Sequence, residues 1–172
     1  MRHNLSIQFD SILLRPLEVN DALLLRELRN RNVRFFFTNN QITEEQQLNW
    51  FCSYLTKENE YMFAIAPVEA SEDFWGAIGI YAIDPDTGSG ESGRVIVDRE
   101  KITRKGVGTL AIRAAAKLAF EQLRIQKLIA NILPNNIPSI RAHEKAGYVQ
   151  IGRDQQSLVY EISNDKLPEG LT

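Results

Sequence analysis

The chain has 172 residues, of which 44% are apolar and 24% charged, and its formal net charge is −2. This is the composition of an ordinary globular protein, and such a charge provides no basic surface for nucleic acid or an anionic membrane. No apolar window approaches the roughly eighteen residues of a membrane span, and the start MRHNLSIQFD has no cationic segment before an apolar stretch. We therefore expect a cytoplasmic protein with one domain over 1–172, in which about 163–172 form a frayed tail.

The first third predicts one strand and two helices. The expected elements are a strand at Ser11–Leu17, a helix from Asn20 or Asp21 to about Asn30, and a helix from Thr43 to about Lys57. The second helix has the clearer start, because Thr43 and Gln46 have the spacing of a capping box. Three strand-like runs follow at Tyr61–Ala66, Phe74–Ile83 and Ser89–Asp98. The short links between these runs predict antiparallel pairing.

The second half alternates helices with strands. Apolar residues at helical spacing, most of them alanine, follow Val107 and predict a helix that packs very close to a sheet. The later elements are a strand at Lys127–Leu133, a short helix at Ile137–Ala146, and strands at Tyr148–Gly152 and Ser157–Ile162. The order predicts an α/β (α+β) fold with a mixed, mostly antiparallel sheet of six or seven strands and helices on both faces.

The cysteine and histidine content argues against disulfides and metals. Cys52 is the single cysteine, which excludes an internal disulfide and fits a reducing compartment. We expect it to be a small buried hydrophobe and not a nucleophile. His3 and His143 are far apart, and no spacing of Cys, His and Asp resembles a zinc or calcium site, so no metal is expected.

Residues 101–110, KITRKGVGTL, combine two glycines and two cations with the start of a helix. Gly106 and Gly108 carry no side chain to block a ligand, and the free N–H groups of a helix N-terminus attract an anion. The sequence does not match a nucleoside-triphosphate-binding loop. In that motif the lysine follows the second glycine, whereas here Lys105 precedes Gly106. A dinucleotide loop is disfavoured because about 100 residues precede the glycines and the next strand, KLIANIL, ends without an acidic residue. The loop alone therefore leaves its phosphate-bearing ligand open.

Two segments carry a resemblance to the Gcn5-related N-acetyltransferase (GNAT) superfamily. T-R-K-G-V-G is similar to its acyl-CoA pyrophosphate loop, [QR]-x-x-G-x-[GA], with Thr103 where Gln or Arg is usual. N-I-P-S-I-R-A-H-E-K-A-G-Y, residues 136–148, resembles its last conserved segment, N-x-x-[AS]-x-x-x-Y-E-K-x-G-[FY], with His143 in place of the tyrosine. The two motifs lie about thirty residues apart in the right order. Together with the strand pattern before them, the resemblance covers nearly the whole chain.

The resemblance implies a sheet splayed open between the strands at 89–98 and 127–133, with acetyl-CoA in the opening and no metal. The implied cofactor-binding residues are Ile96, Val97, Arg104, Lys105, Gly106, Val107, Gly108, Thr109, Asn136 and Ser139. Of these, the main chain near Ile96 and Val97 is expected to bond the pantetheine amides. The cations Arg104 and Lys105 are the expected side-chain contacts to phosphate.

The resemblance also implies two catalytic candidates, each with a plainer alternative. Glu91 occupies the place of a glutamate that takes the amine proton, or it is only a solvated carboxylate at a strand end. His143 replaces a tyrosine that protonates the leaving thiolate, or it is only a cofactor-side or surface residue. The N–H of Val97 is a candidate oxyanion donor, and Asp98 is expected to be structural.

The acceptor is expected to contact the first third of the chain. Four residues are substrate candidates: Arg31, Arg34, Phe36 and Trp50. In the plainer interpretation, the two aromatic residues belong to the core and the two arginines lie on the surface. In the other, all four form a wall for a ring-shaped or phosphate-bearing acceptor. The stretch is similar to enzymes that acetylate nucleotide-linked amino sugars and, more loosely, to those that acetylate ribosomal-protein N-termini. We expect an N-acetyltransferase for the primary amine of a small-molecule amino sugar. A protein N-terminal acetyltransferase, a CoA-binding module without catalysis and a homodimer stay open.

Overall fold

The computed structural model describes residues 2–38 and 40–166 and contains one eight-stranded mixed sheet. The strands are β1 (Ile7–Phe9), β2 (Ile12–Pro16), β3 (Tyr61–Pro67), β4 (Gly76–Asp84), β5 (Ser89–Val97), β6 (Lys127–Ile132), β7 (Val149–Arg153) and β8 (Leu158–Ser163). Their spatial order is β1-β2-β3-β4-β5-β6-β8-β7. The α/β class and the antiparallel β3–β4–β5 unit are confirmed.

The sheet has one strand more than predicted. The additional strand is β1, whose three residues pair with β2 and are too few to produce a periodic pattern. At the other end of the chain, the predicted frayed tail falls partly on ordered residues. Ser163 ends β8 and Asn164–Lys166 form a short 3₁₀ turn, whereas 167–172 lie outside the described residues.

Four helices cover the sheet: α1 (Val19–Arg31), α2 (Glu44–Leu55), α3 (Val107–Glu121) and α4 (Ile137–Ala146). The Thr43–Gln46 capping box is confirmed, because the Gln46 N–H donates to the Thr43 hydroxyl and the Gln46 side chain accepts from the Thr43 N–H. The prediction for the start of α1 was late by about two residues. Asp21 accepts the Glu18 N–H at 2.9 Å from within the first turn, so the helix begins before it.

The helices divide between the two faces of the sheet. On one face, α3 lies on the core of β2–β4, and its residues Ala111, Ala114, Ala115 and Ala119 have no exposed surface. On the other face, α1 and α2 pack against a second cluster that includes Met62, Ala77 and Ile96. The expectation that Cys52 is buried was wrong. Helix α2 buries Gln47, Phe51 and Tyr54, and Cys52 lies exposed on a different side of the helix.

The parallel pairing of β5 with β6 is short. Ser89–Glu91 of β5 pair with Lys127–Ile129 of β6, and beyond these residues the two strands have no mutual register. On its other side, β5 stays paired with β4 up to Val97, and β6 stays paired with β8 up to Ile132. The predicted splay is therefore confirmed, and each strand has an edge that faces the gap without a strand partner.

A β-bulge in β5 changes which face its side chains occupy. The register moves from Ala77–Ile96 to Gly79–Gly93, so three steps along β5 oppose two along β4. Arg94, in the bulge, has a φ of 53°, which few residues other than glycine adopt. A bulge places two consecutive side chains on the same side of a strand. As a result, Gly93 and Arg94 both lie on the α1/α2 face.

Within the described part of the chain, none of the helices is both long and apolar enough to cross a membrane.

The close approach of β4 to β5 predicts the effect of a single methyl group. A Cβ added to Gly76 would lie 2.1 Å from the Ile96 carbonyl oxygen, so the two strands would have to separate. We expect Gly76→Ala to lower the free energy of unfolding by about 1–3 kcal/mol. Gly152→Ala is the matched control, because a Cβ there meets no atom within 4 Å. Equal urea midpoints for both variants would contradict this packing.

Candidate active site

A cleft of about 1300 Å³ occupies the gap between β5 and β6 and continues under α1 and α2. Its walls come from two groups of elements. One group is β5, β6 and the N-terminal ends of α3 and α4, and the other is α1, α2 and the segment between them. The volume exceeds the roughly 300–1,000 Å³ typical of a pocket for one small ligand. The cleft can therefore hold two substrates side by side.

The N-terminus of α3, called its mouth below, is open toward this cleft. Gly106 is the N-cap residue with a φ of 89°, and no side chain caps the helix. The first intrahelical bond is from the Leu110 N–H to the Gly106 carbonyl, so the N–H groups of the first turn have no helical acceptor. A Cβ at Gly106 would meet no atom within 4 Å, and one at Gly108 would meet only Val97 Cγ2 at 3.9 Å. Unpaired donors beside free space fit the diphosphate of coenzyme A.

The edge of β5 supplies backbone groups to the same space. The Asp98 N–H donates to the Trp75 carbonyl on the β4 side. Because backbone groups of successive strand residues point in opposite directions, the Val97 N–H points toward the gap. Ile96, by the same alternation, directs its backbone toward β4 and its side chain into the second cluster. Of the pair predicted to bind pantetheine, Val97 is the one with a free backbone donor.

The predicted phosphate cations are not the ones that line the cleft. Arg104 pairs with Asp10 at 3.1 Å, and Lys105 is exposed. Apart from Arg94 on β5, the cations on this side of the cleft are Arg99, after β5, and Arg141, on α4. Sequence reasoning missed both residues. Arg141 occupies an unspecified position of the 136–148 motif, so only its location on the helix face that lines the cleft identifies it.

Helix α4 brings Asn136, Ser139 and His143 to the cleft, as their helical spacing predicts. The Asn136 side chain caps the helix by accepting the Ser139 N–H at 3.2 Å, and it donates to the Phe35 carbonyl at 3.5 Å. The second bond reaches the segment between α1 and α2, across the opening. Asn136 thus links the two walls of the cleft, and Ser139 lines the wall between them.

His143 is 2% exposed and packs edge-on against Tyr148. Its Nδ1 lies 2.9 Å from the Ser139 carbonyl, so Nδ1 carries a proton that it donates there. Nε2 is buried without a hydrogen-bond partner. Burial lowers the pKa of His143 below its usual value, and the bond to Ser139 only partly opposes this. The ring is therefore neutral at pH 7, and Nε2 is not exposed to the cleft.

Glu91 lies at the apex of the splay, in the last pair that β5 makes with β6. Its Oε2 accepts a hydrogen bond of 3.1 Å from Asn131 Nδ2, and its strand partner on β4 is Tyr81. Tyr81 and Asn131 line the cleft and flank the carboxylate, which is partly buried behind them. Burial, and secondarily the charge of Glu91, raise the pKa of Tyr81, so its hydroxyl stays protonated. Both neighbours were missed from the sequence.

Three of the four predicted acceptor residues, Arg34, Phe36 and Trp50, line the cleft. Arg31 does not, because it pairs with Asp98 and Glu100 and so ties the end of α1 to the loop after β5. Asp98 has the structural role expected for it. Two guanidinium groups stack on aromatic rings in this region: Arg29 on Phe36 at 5.0 Å and Arg34 on Phe35 at 4.8 Å.

The charge of the cleft wall has one sign. Among the described residues, its lining includes five arginines (Arg29, Arg34, Arg94, Arg99 and Arg141) and no aspartate or glutamate. Low-dielectric walls that carry one sign of charge concentrate ligands of the opposite sign. The cleft therefore favours anionic ligands although the whole chain has a net charge of −2. No cluster of three or more His, Cys, Asp or Glu side chains in the described ranges could hold a metal ion.

Comparisons with known proteins agree with this architecture. A family model described as an acetyltransferase (GNAT) domain matches residues 11–149. A curated relative from Bacillus subtilis (strain 168), named probable N-acetyltransferase YjcK, is 31% identical over 153 residues, which cover 83% of this chain and 82% of that protein.

Two solved structures share the fold at lower identity. Apo FdhC, described as a nucleotide-linked sugar GNAT, has a TM-score of 0.82 and 20% identity, with coverage of 95% of this chain and 93% of that one. Spermidine N-acetyltransferase from Vibrio cholerae, solved with CoA and spermine, has a TM-score of 0.78 and 20% identity, with coverage of 91% and 98%. At this identity the two structures establish the fold and leave the acceptor open.

The open mouth of α3 predicts the effect of a carboxylate there. Gly108→Glu should abolish CoA binding, because its charge would occupy the phosphate position. Folding should be unaffected or improved, since an acidic residue in a first turn stabilises a helix by about 0.3–1 kcal/mol. Gly152→Glu, on β7 with no atom within 4 Å of its Cβ, is the control for charge. Isothermal titration with CoA tests the assignment, and unchanged affinity in Gly108→Glu would refute it.

Burial of His143 predicts a pH dependence of stability. Its folded pKa is below the unfolded value of about 6.5, so in the interval between them the unfolded chain binds more protons. Stability should therefore fall as the pH drops from 7.5 to 5.5, and the fall should be smaller in His143→Phe. Urea unfolding at the two pH values measures both. An equal fall in both proteins would mean that the folded chain protonates His143 as readily as the unfolded chain does.

Proposed function

The chain belongs to the Gcn5-related N-acetyltransferase superfamily and is an N-acetyltransferase; we propose that it transfers the acetyl group of acetyl-CoA to the primary amine of an amino sugar, nucleotide-linked sugars included. The observation that carries the proposal is the arrangement at the apex of the splay, where β5 and β6 make their last pair. There, a partly buried carboxylate, Glu91, accepts a hydrogen bond from Asn131, which lines the same cleft as Gly108 at the uncapped N-terminus of α3 and the arginine- and aromatic-lined wall.

The cofactor side of the cleft binds through backbone groups. The N–H groups of the first turn of α3 hold the diphosphate, and Arg99 and Arg141 add positive charge. The open edge of β5 aligns the pantetheine arm between β5 and β6, where Ser139 lines the opposite wall. When bound, acetyl-CoA supplies a thioester carbonyl as the electrophile. Val97 directs its N–H toward the gap and donates to the carbonyl oxygen as that oxygen gains charge.

Glu91 removes the proton of the acceptor. An alkyl ammonium has a pKa near 10.4 and is not a nucleophile at pH 7, so the amine must lose a proton before or during attack. Asn131 fixes one oxygen of Glu91 by donating to it, and this leaves the other oxygen for the amine or a bridging water. His143, as a neutral ring that donates to Ser139, holds α4 in place and has no imidazolium proton for the leaving thiolate. Proximity of the two substrates supplies much of the rate.

The acceptor is assigned from the chemistry of the wall. A polycationic acceptor would be repelled by the five arginines that line the cleft, because Glu91 is the one carboxylate assigned to the amine. Aromatic rings at Phe36 and Trp50 suit a ring-shaped acceptor, and guanidinium groups suit phosphate. An amino sugar joined to a nucleotide or phosphate has both features. One structural neighbour is described as a nucleotide-linked sugar GNAT, which agrees with this choice. Its similarity to this chain is a similarity of fold.

A thiol-release assay with acetyl-CoA over a panel of amines tests the proposal. The panel contains amino sugars, their phosphates and nucleotide conjugates, spermidine, and peptides that begin with a free amine. Amino sugars should have the highest kcat/KM. A peptide that exceeds every sugar would identify a protein N-terminal acetyltransferase. Tight CoA binding with no turnover of any amine would identify a CoA-binding module.

The role of Glu91 predicts a characteristic pH profile. Glu91→Gln should lower kcat/KM by about 10²–10⁴-fold at pH 7. The loss should be smaller at pH 9, where more of the amine is already neutral. Glu58→Gln, an exposed carboxylate before β3, is the matched control. A loss of the same size at both pH values would exclude Glu91 as the base.

A further inference from the structure

We propose that Arg94, together with Gln47 and Tyr81, forms a subsite for an anionic substituent of the acceptor, so that the enzyme acts on amines that also carry a phosphate or carboxylate. The inference rests on the proposed function and specifies its acceptor. These three residues belong to β5, α2 and β4, and all line the part of the cleft under α1 and α2. None of the three was predicted from the sequence.

The β-bulge in β5 directs the Arg94 side chain to the α1/α2 face of the sheet. Regular alternation from Glu91 would send the Arg94 side chain to the opposite face of the sheet, toward α3. The bulge reverses this, and Arg94 then contacts Met62 at 3.7 Å and stacks on the Tyr81 ring at 4.3 Å. The left-handed φ of 53° is costly for a residue other than glycine. The fold therefore accepts local strain at the position that directs a guanidinium into the cleft.

A buried carboxylate fixes Arg94 without neutralising the subsite. Glu60 is 5% exposed and forms ion pairs with both Arg94 and Lys57. Burial alone would raise the pKa of Glu60, but the hydrogen bonds from Lys57 and Arg94 hold it below the usual value. One negative charge thus faces two positive charges. Within the described residues, Arg94 donates through Nη1, so Nε and Nη2 have no protein acceptor.

Gln47 is a second, independent sign of a ligand. Gln47 is 4% exposed and lines the cleft one turn before Trp50 on α2. The described parts of the chain give its carboxamide no hydrogen-bond partner. Its amide atoms are not among the fully buried side-chain atoms that lack a partner, so the carboxamide of this mostly buried residue reaches the open space of the cleft. The Gln47 amide is therefore placed to donate to a ligand in the cleft.

Tyr81 joins the subsite to the reaction centre. Its ring touches the Arg94 guanidinium, its hydroxyl lies above Gly93, and its strand partner is Glu91. Only burial and neighbouring charges act on the hydroxyl, which has no hydrogen bond to the described residues and is free to donate. An acceptor whose amine lies at Glu91 would thus place a substituent a few ångströms away at Arg94. The unpaired N–H groups of the Arg94 guanidinium, beside an amide and a hydroxyl that can both donate, favour an anion at that point.

Steady-state kinetics with matched acceptors tests the subsite. The pairs are glucosamine 6-phosphate against glucosamine for phosphate and muramic acid against glucosamine for carboxylate, with spermidine as the cationic probe. The readout is the ratio of kcat/KM for the anionic acceptor to that for glucosamine. In the unaltered protein the ratio should exceed about tenfold for one of the two anions, which also identifies the preferred one.

The variants separate recognition from folding. Arg94→Gln should lower the ratio by about 10- to 100-fold, which is the value of a charge-assisted hydrogen bond. Arg153→Gln, on β7 outside the cleft, should leave the ratio unchanged. Gln47→Met removes the unpaired amide and keeps its volume. It should lower the ratio and leave the urea midpoint of the free protein unchanged, a combination that a purely structural residue would not give.

The outcomes distinguish failure of the subsite from failure of the proposed function. An unchanged ratio in Arg94→Gln, or a preference for glucosamine or spermidine in the unaltered protein, overturns the subsite and leaves acetyl transfer intact. Absence of turnover with every amine overturns the proposed function instead. In that case, calorimetric titrations of glucosamine 6-phosphate and of muramic acid into the CoA-saturated protein still decide the subsite. Binding that Arg94→Gln weakens at least tenfold supports it, and equal or undetectable binding refutes it.

Discussion

The interruption of the β5–β6 ladder after Glu91 and Ile129 is the constraint on which the site depends. Parallel strands normally satisfy their backbone groups with each other, and these two strands do so for three pairs only. Beyond that point, a row of backbone groups on β5 faces open space. A cofactor with amides along its length can take the place of the missing strand. The gap is kept open because each strand is held from behind, β5 by β4 and β6 by β8.

Helix α3 supplies the anion site that we propose at this gap. Five of the nine buried residues of this helix are alanine, so the helix lies close to the sheet and its N-terminus reaches the edge of the cleft. Gly106 adopts a left-handed conformation and leaves the mouth without a side chain. The cofactor side is therefore built mainly from backbone groups, whose position does not depend on rotamers. This also explains why Thr103 in place of a larger polar residue leaves the pocket intact.

The acceptor side follows the opposite principle. Its wall consists of side chains, and their charge has one sign along the whole surface. The chain as a whole is slightly acidic, so the basic cleft results from placement of a few arginines and not from composition. Arg31 is an arginine that its position in the fold keeps out of the cleft. It was predicted to contact the acceptor, yet it pairs with Asp98 and Glu100 and stabilises the loop that leads to α3.

The sequence by itself determined the elements and the family, because periodicity, caps and glycine spacing are local properties. It located α2 from the Thr43–Gln46 capping box, α4 from Asn136 and Gly147, and the helix mouth from Gly106 and Gly108. Only the tertiary structure decided which side chains meet. Asn131 beside Glu91 joins residues of different strands, and Arg94 enters the cleft because a bulge shifts the register of β5 against β4. A bulge depends on how two strands fit together, and nothing within either strand's own pattern specifies it.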